Sequence, residues 1–484
     1  MPATLQKLGH YLGLRDLDAP LQAGLRQSRL GALCWRPLLA LRMRLIPLAA
    51  GSATVRWLPQ VSFWMVLLVL FTLPFAESGE SGLLAAATAL VTLLRLLLVD
   101  EDPPFGSLVG LVVIFVLWGL VATVTSDFPL LSLYGYGKLL IYFVTYLCFL
   151  VNLRTISQIR ISAWVLIAGA IAVSLYGLYQ WQIKVPPLAL WDDPESQYKL
   201  TRVYSFLGNP NLLGGYLLPT LSLTAFFYFG NLGWRKLVLL GAFVLQVPCL
   251  YFTYSRGAWI ALAVGAVIAF VCCLLIFWHI FAKNSFFRGL LFAGVLLGLA
   301  LVVYFALTKP ELQERVRSLF SGGTHSSNNF RLNVWVSSLE IIKDYALTGV
   351  GLGTKVFQKI YSYYMASGFK ALSTYNVFLE VWLEMGLIGL LSFLALLFAH
   401  LARCLWGIVQ DIDYSARLFL AAAFTGLCAL MVHGMVDTVF YRPPVQILFW
   451  YLLAVITVVS QDSIAFRNQA SNQAGHPNGP QPDA

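Results

Sequence analysis

Long apolar runs separated by short polar breaks dominate this chain. The runs fall near residues 61–76, 82–99, 107–125, 138–151, 161–183, 210–230, 237–253, 258–279, 289–307, 374–400, 416–434 and 444–460. A hydrocarbon core needs on the order of 20 apolar residues per helix. The pattern therefore predicts an all-α, polytopic membrane protein of about twelve transmembrane helices, with a large extracytoplasmic loop between the ninth and tenth. Residues 1–59 form a basic cytoplasmic lead and residues 60–460 the transmembrane domain, including the loop at 308–372. In the lead, Leu38 to Leu48 is amphipathic and suits a membrane surface. Residues 461–484 end in Asn, Gln, Gly and Pro and are expected to be a disordered cytoplasmic tail.

Charge placement adds orientation. Loops assigned to the cytoplasm carry Arg154, Arg160, Arg235, Lys236, Lys283, Arg288, Arg403 and Arg417, whereas the opposite loop Glu77 to Glu80 has no basic residue. Under the positive-inside rule both termini lie in the cytoplasm of a multi-pass inner-membrane protein. Asp100, Glu101 and Asp102 also fall inside, but acidic residues count little in that rule.

Composition agrees: 59% of residues are hydrophobic and 11% charged, with a mean hydropathy of +0.76. A net charge of +10 would suggest nucleic acid in a soluble protein; here loop arginines account for it, and no nucleic-acid partner is expected. The seven cysteines show neither metal spacing nor a disulfide pattern. No phosphate-loop, dinucleotide or zinc signature is present, so no cofactor or metal is expected. Gly349-Val-Gly-Leu-Gly353 reads as a turn.

Candidate chemistry gathers at the outer membrane boundary. Arg256 sits in Leu250-Tyr-Phe-Thr-Tyr-Ser-Arg-Gly-Ala-Trp259, between two apolar runs. It reads either as a snorkelling anchor or as an anion ligand. The second long outer loop brings Arg331, in a helical stretch that follows a turn containing His325. Glu380 and Glu384 stand one helical turn apart near the outer end of the tenth span, as a solvated helix entrance or a polar cavity wall. His433 and Asp437, also one turn apart, either join a polar network with Arg256 or cap their helix.

These segments resemble a known group of membrane proteins. An arginine after a membrane-ending Tyr-Ser, a long outer loop, and Tyr375-Asn376 followed after nine residues by Gly386-Leu-Ile-Gly389 are similar to the O-antigen ligase and polymerase superfamily. Arg202-Val-Tyr-Ser-Phe-Leu-Gly-Asn-Pro-Asn-Leu-Leu213, Ser326-Ser-Asn-Asn-Phe-Arg-Leu-Asn-Val-Trp335, Ala371-Leu-Ser-Thr-Tyr375 and His433-Gly-Met-Val-Asp-Thr-Val-Phe-Tyr-Arg-Pro443 resemble the cyanobacterial IctB family. That resemblance implies a role in inorganic carbon (bicarbonate) accumulation around an outward anion site. The alternative that it carries is a ligase-like transferase moving a glycan from undecaprenyl diphosphate to an acceptor hydroxyl. Arg256 and Arg331 match the superfamily's arginine positions. Tyr254, Asn376, Arg202, His433 and Asp437 complete the expected anion or substrate site. Tyr375 occupies the ligase histidine position, and a phenol with pKa near ~10 is a poor base at neutral pH.

Overall fold

In a computed structural model the chain is described over residues 40–49, 51–101, 106–188, 201–286, 289, 326–410 and 412–474. Among these residues there are no strands, and eleven helices are long and apolar enough to cross a membrane. They are α1 (Ala53–Thr72), α2 (Ser78–Leu98), α3 (Ser107–Val124), α4 (Pro129–Asn152), α5 (Ile156–Gln182), α6 (Pro210–Phe229), α7 (Trp234–Tyr251), α8 (Arg256–Lys283), α11 (Val377–Val409), α12 (Tyr414–Gly434) and α13 (Pro443–Ala474). The outer-loop helices α9 (Ser326–Asp344) and α10 (Thr354–Tyr361) precede α11. Eleven spans replace the expected twelve because all but the first residue of the run at 289–307 lie outside the described residues, as do His325 and most of the lead. Within the lead, residues 40–49 are helical. Helix α13 continues to Ala474, into the segment expected as a tail.

Hydropathy placed two starts late: α1 begins at Ala53, eight residues before its apolar run and inside the expected lead. Helix α4 begins at Pro129, nine residues before the apolar run, because its first turns carry Ser132, Tyr134, Tyr136 and Lys138. Proline suits that first position, where its missing N–H costs no helical bond. Helices α6 and α13 are the most enclosed spans, buried over 83% and 89% of their apolar windows, which puts them at the bundle centre. Both pack against α12. Helices α1 and α8, buried over 22%, lie at the periphery.

The loop helices have their own small core, built from Val334, Ile341, Ile342, Val356, Phe357 and Ile360 with Leu383 of α11. Docking of this core depends on a break in α11. Gly386 adopts φ +67°, so the helix opens inside the apolar run. Backbone groups freed within a membrane must find partners in the protein. Residues 346–351 supply them: Val350 N donates to Leu383 O (2.9 Å), Gly351 N to Glu384 O (3.0 Å), and Leu387 N to Ala346 O (2.8 Å). The Trp118 indole takes Met385 O at 2.7 Å. A Cβ at Gly386 would overlap Leu347 O, and one at Gly349 would lie 2.5 Å from Glu384 O. The glycine run at 349–353 is thus not a free turn. It is a tape paired with the opened helix, and Gly353 N ends it on the Glu384 carboxylate (2.9 Å).

Candidate functional site at the arginine end

The starts of α6, α8, α11 and α13 and the ends of α7 and α12 meet at one end of the bundle. Asn209 caps α6, accepting from Asn211 N (2.8 Å) and Leu212 N (3.2 Å), with Pro210 next in line. Because the first asparagine is occupied by the cap, the Asn211 side chain is turned outward. It donates to Asp437 Oδ2 at 2.6 Å and accepts from Arg202 Nη2 at 3.1 Å. Arg202 is buried and also donates through Nε to Thr253 O at 3.0 Å, which ties it to the α7–α8 turn. Arg331, on the second turn of α9, approaches Asp437 Oδ2 at 3.5 Å. One polar chain therefore runs from Thr253 through Arg202, Asn211 and Asp437 to Arg331.

Arg256 opens α8, half-buried, beside the Ser255 cap that receives Ala258 N (3.4 Å). The turn before it is strained: Tyr254 has φ +50°, in a region that side chains with a Cβ seldom occupy. Gly257 permits close approach to the end of α12, since a Cβ there would lie 2.7 Å from Val436 and 3.0 Å from the His433 ring. His433 is fully buried between the starts of α6 and α8, and no described group hydrogen-bonds either ring nitrogen. It packs beside the Arg256 turn, while Asp437 turns to Asn211 and Arg331. The pair that shares a helical face in sequence is divided between two tasks.

Tyr375 is also held at positive φ (+54°), with its N–H on Ser373 Oγ (3.2 Å) and its ring edge-on to Phe330 at 5.4 Å. Phe330 immediately precedes Arg331, so Tyr375 belongs to the same cluster. Burial raises the phenol's pKa, and the nearby Asp437 carboxylate raises it further against the opposing pull of Arg331. The group therefore stays protonated near neutrality. Asn376 caps α11, its side-chain oxygen accepting from Phe378 N (3.0 Å) and Leu379 N (3.3 Å). That oxygen is committed to the helix start rather than to a ligand.

The structure thus gathers Arg202, Arg331, Asp437 and Tyr375 into one cluster and sets His433 beside the Arg256 turn. The carboxylate of Asp437 positions Arg331, since a negative group is no ligand for an anion. Sequence reasoning passed over Asn211 and Thr253. The available signal for Asn211 was the Asn-Pro-Asn spelling, in which one asparagine caps and the other is left to reach out. Glu380 is buried and Glu384 anchors Gly353; both line a cavity on a different side of α11.

The fold and its spans define a polytopic, all-helical membrane protein. Within it, residues 241–394 match the family model of the O-antigen ligase. The match runs from α7 into α11 and takes in Arg256, Arg331, Tyr375 and Asn376. It supports the resemblance to the O-antigen ligase and polymerase superfamily; the IctB assignment and inorganic carbon draw no support from it. A search of the curated proteins gave no match.

Proposed function

We propose that the chain is an O-antigen-ligase-like transferase that moves a glycan from a lipid-linked diphosphate to an acceptor hydroxyl at the arginine end. The observation that carries this reading is the ligase match across Arg256 and Arg331. The polar chain that holds Arg331 through Asp437 agrees with it. In this reaction the acceptor oxygen bonds to the anomeric carbon as the bond to the diphosphate oxygen breaks. Negative charge then grows on the departing diphosphate. Guanidinium groups bind phosphate oxygens in a bidentate fashion and remain charged, so the two arginines stabilise the leaving group. Asp437 is the carboxylate that the polar chain holds at Arg331, and it takes the acceptor proton. Tyr375, kept protonated, donates a hydrogen bond.

The arginine end faces the periplasm in this proposal, with both termini in the cytoplasm of the inner membrane. Cysteine at exposed Ser362 should then react with an impermeant maleimide in intact cells, and cysteine at exposed Ser157 should not; the reverse labelling would invert the topology. Purified protein in vesicles should transfer glycan from an undecaprenyl diphosphate donor without an ion gradient. Saturable bicarbonate flux with no transfer would replace the ligase reading by the transport one.

A further inference from the structure

A cavity of about 440 Å³ opens between α3, α4, α10, α11 and α13, apart from the arginine cluster. That volume lies within the ~300–1,000 Å³ range of small-molecule sites. Phe440 lines the cavity, whereas Asp437, three residues earlier, does not. Its polar groups collect near α10 and its aromatic groups lie deeper. Lys355 comes from the first turn of α10, Lys138 from the third turn of α4, and Glu380 and Glu384 from the start of α11. Phe115, Phe393 and Phe449 form the deep wall. Phe393 lies two turns beyond the Gly386 opening of α11, on the far side of that break from Glu380 and Glu384.

The two lysines share one ring. Lys138 Nζ lies 4.9 Å and Lys355 Nζ 5.3 Å from the Tyr134 centroid. Among the described residues neither lysine is in an ion pair. Both lysines are exposed at the cavity mouth, whereas Glu380 is buried in its wall. Two cations on the α4–α10 wall face two carboxylates on the α11 wall, so the formal charge of the four sums to zero. A simple anion would meet the carboxylates and a simple cation the ammonium groups. A ligand with both charges and a hydrocarbon tail satisfies both walls and the aromatic depth.

We infer that this cavity binds a zwitterionic phospholipid with a primary ammonium head. Its phosphate lies between Lys138 and Lys355, its ammonium faces Glu380 and Glu384, and an acyl chain runs along Phe115, Phe393 and Phe449. The inference rests on this cavity alone and stands whether or not the arginine end transfers glycans.

The test uses the full chain, delipidated in detergent and offered phosphatidylethanolamine, phosphatidylcholine or phosphatidylglycerol of equal chain length. Bound lipid is counted by native mass spectrometry. Phosphatidylethanolamine should be retained roughly tenfold better than the other two, because the choline head has no N–H to donate and the glycerol head has no positive charge. Lys138→Gln and Glu380→Gln should each lower its retention by about tenfold. Glu380 is buried and its replacement can disturb folding, so the exposed Lys355→Gln carries the same expectation, with thermal unfolding unchanged. Equal retention of phosphatidylglycerol or phosphatidylcholine would overturn the assignment, as would indifference to Lys355→Gln in a folded protein. Displacement of the phospholipid by added undecaprenyl diphosphate at equal concentration would instead give the cavity to the lipid-linked donor.

Discussion

Both ends of the bundle carry arginine clusters, and they are built differently. At the end opposite the candidate site, Arg95 is 4% exposed and closed on three sides: Nε and Nη2 reach Glu101 Oε2 at 3.1 and 2.7 Å, and Nη1 reaches Asn152 Oδ1 at 2.8 Å. Arg154 joins the same carboxylate at 3.2 Å, and Arg42 donates to the Glu101 backbone oxygen at 3.0 Å. The acidic residues that interrupt the charge asymmetry of the sequence are explained here, because Glu101 is the counter-ion of a buried arginine. Among the described residues around this cluster none has a positive φ. At the candidate site, Arg202 and Arg331 lean on a carboxylate and an amide set between four helix ends. Among the described residues, every non-glycine residue at positive φ lies at that end: Lys184, Ser205, Tyr254 and Tyr375. Such backbone persists only where its surroundings enforce it, and it concentrates at functional sites. An arginine cluster alone therefore says little. Among the described residues, positive-φ backbone separates the candidate site from the anchoring end.

The comparison can be broken most sharply at the anchoring end. Glu101→Ala leaves Arg95 buried without its carboxylate, a change that costs about 3–5 kcal/mol when a buried pair is severed. It should lower the unfolding temperature and membrane accumulation while leaving transfer per folded molecule unaltered; a selective loss of transfer would make the two ends equivalent. At the working end Arg256→Lys and Arg331→Lys keep the charge and lose the planar fork. Each should reduce transfer roughly tenfold to a hundredfold, equivalent to about 1.5–3 kcal/mol, with no change in unfolding temperature. Full activity in Arg256→Lys would return that residue to an anchoring role. The smallest effect belongs to Tyr375. Desolvation and Asp437 disfavour its phenolate, so its pKa moves up and away from neutrality, and the residue adds no inflection to the pH–rate profile between pH 6 and 9. Tyr375→Phe should change the rate only a few-fold and leave that profile's shape intact; a lost inflection in this range would show that the phenol titrates there after all.

Much of the architecture was legible in the chain. The apolar runs locate the spans because a membrane core accepts only segments whose own backbone bonds are satisfied, and that requirement is local. Arg256 stood out for the same reason, since a guanidinium at a membrane boundary breaks a local pattern, whereas Arg331, in the outer loop, stood out only through the family resemblance. The start of α4 was missed because its polar face looks like loop to a hydropathy count, although Gly135 packs directly on Leu352 and Gly353. The role of Gly386 was hidden too. A glycine in an apolar run carries no mark that its helix opens there to bond residues 346–351.

The sequence by itself determined an all-helical, membrane-spanning protein with arginines at both boundaries. Hydrophobic length and charge position are properties of short segments, and each segment reports them alone. Only the tertiary structure decided that Asp437 turns from His433 to Asn211 and Arg331, and that Lys138 and Glu380 share a cavity. Those outcomes depend on which helix ends arrive together, and the competing partners for each polar side chain come from segments hundreds of residues apart.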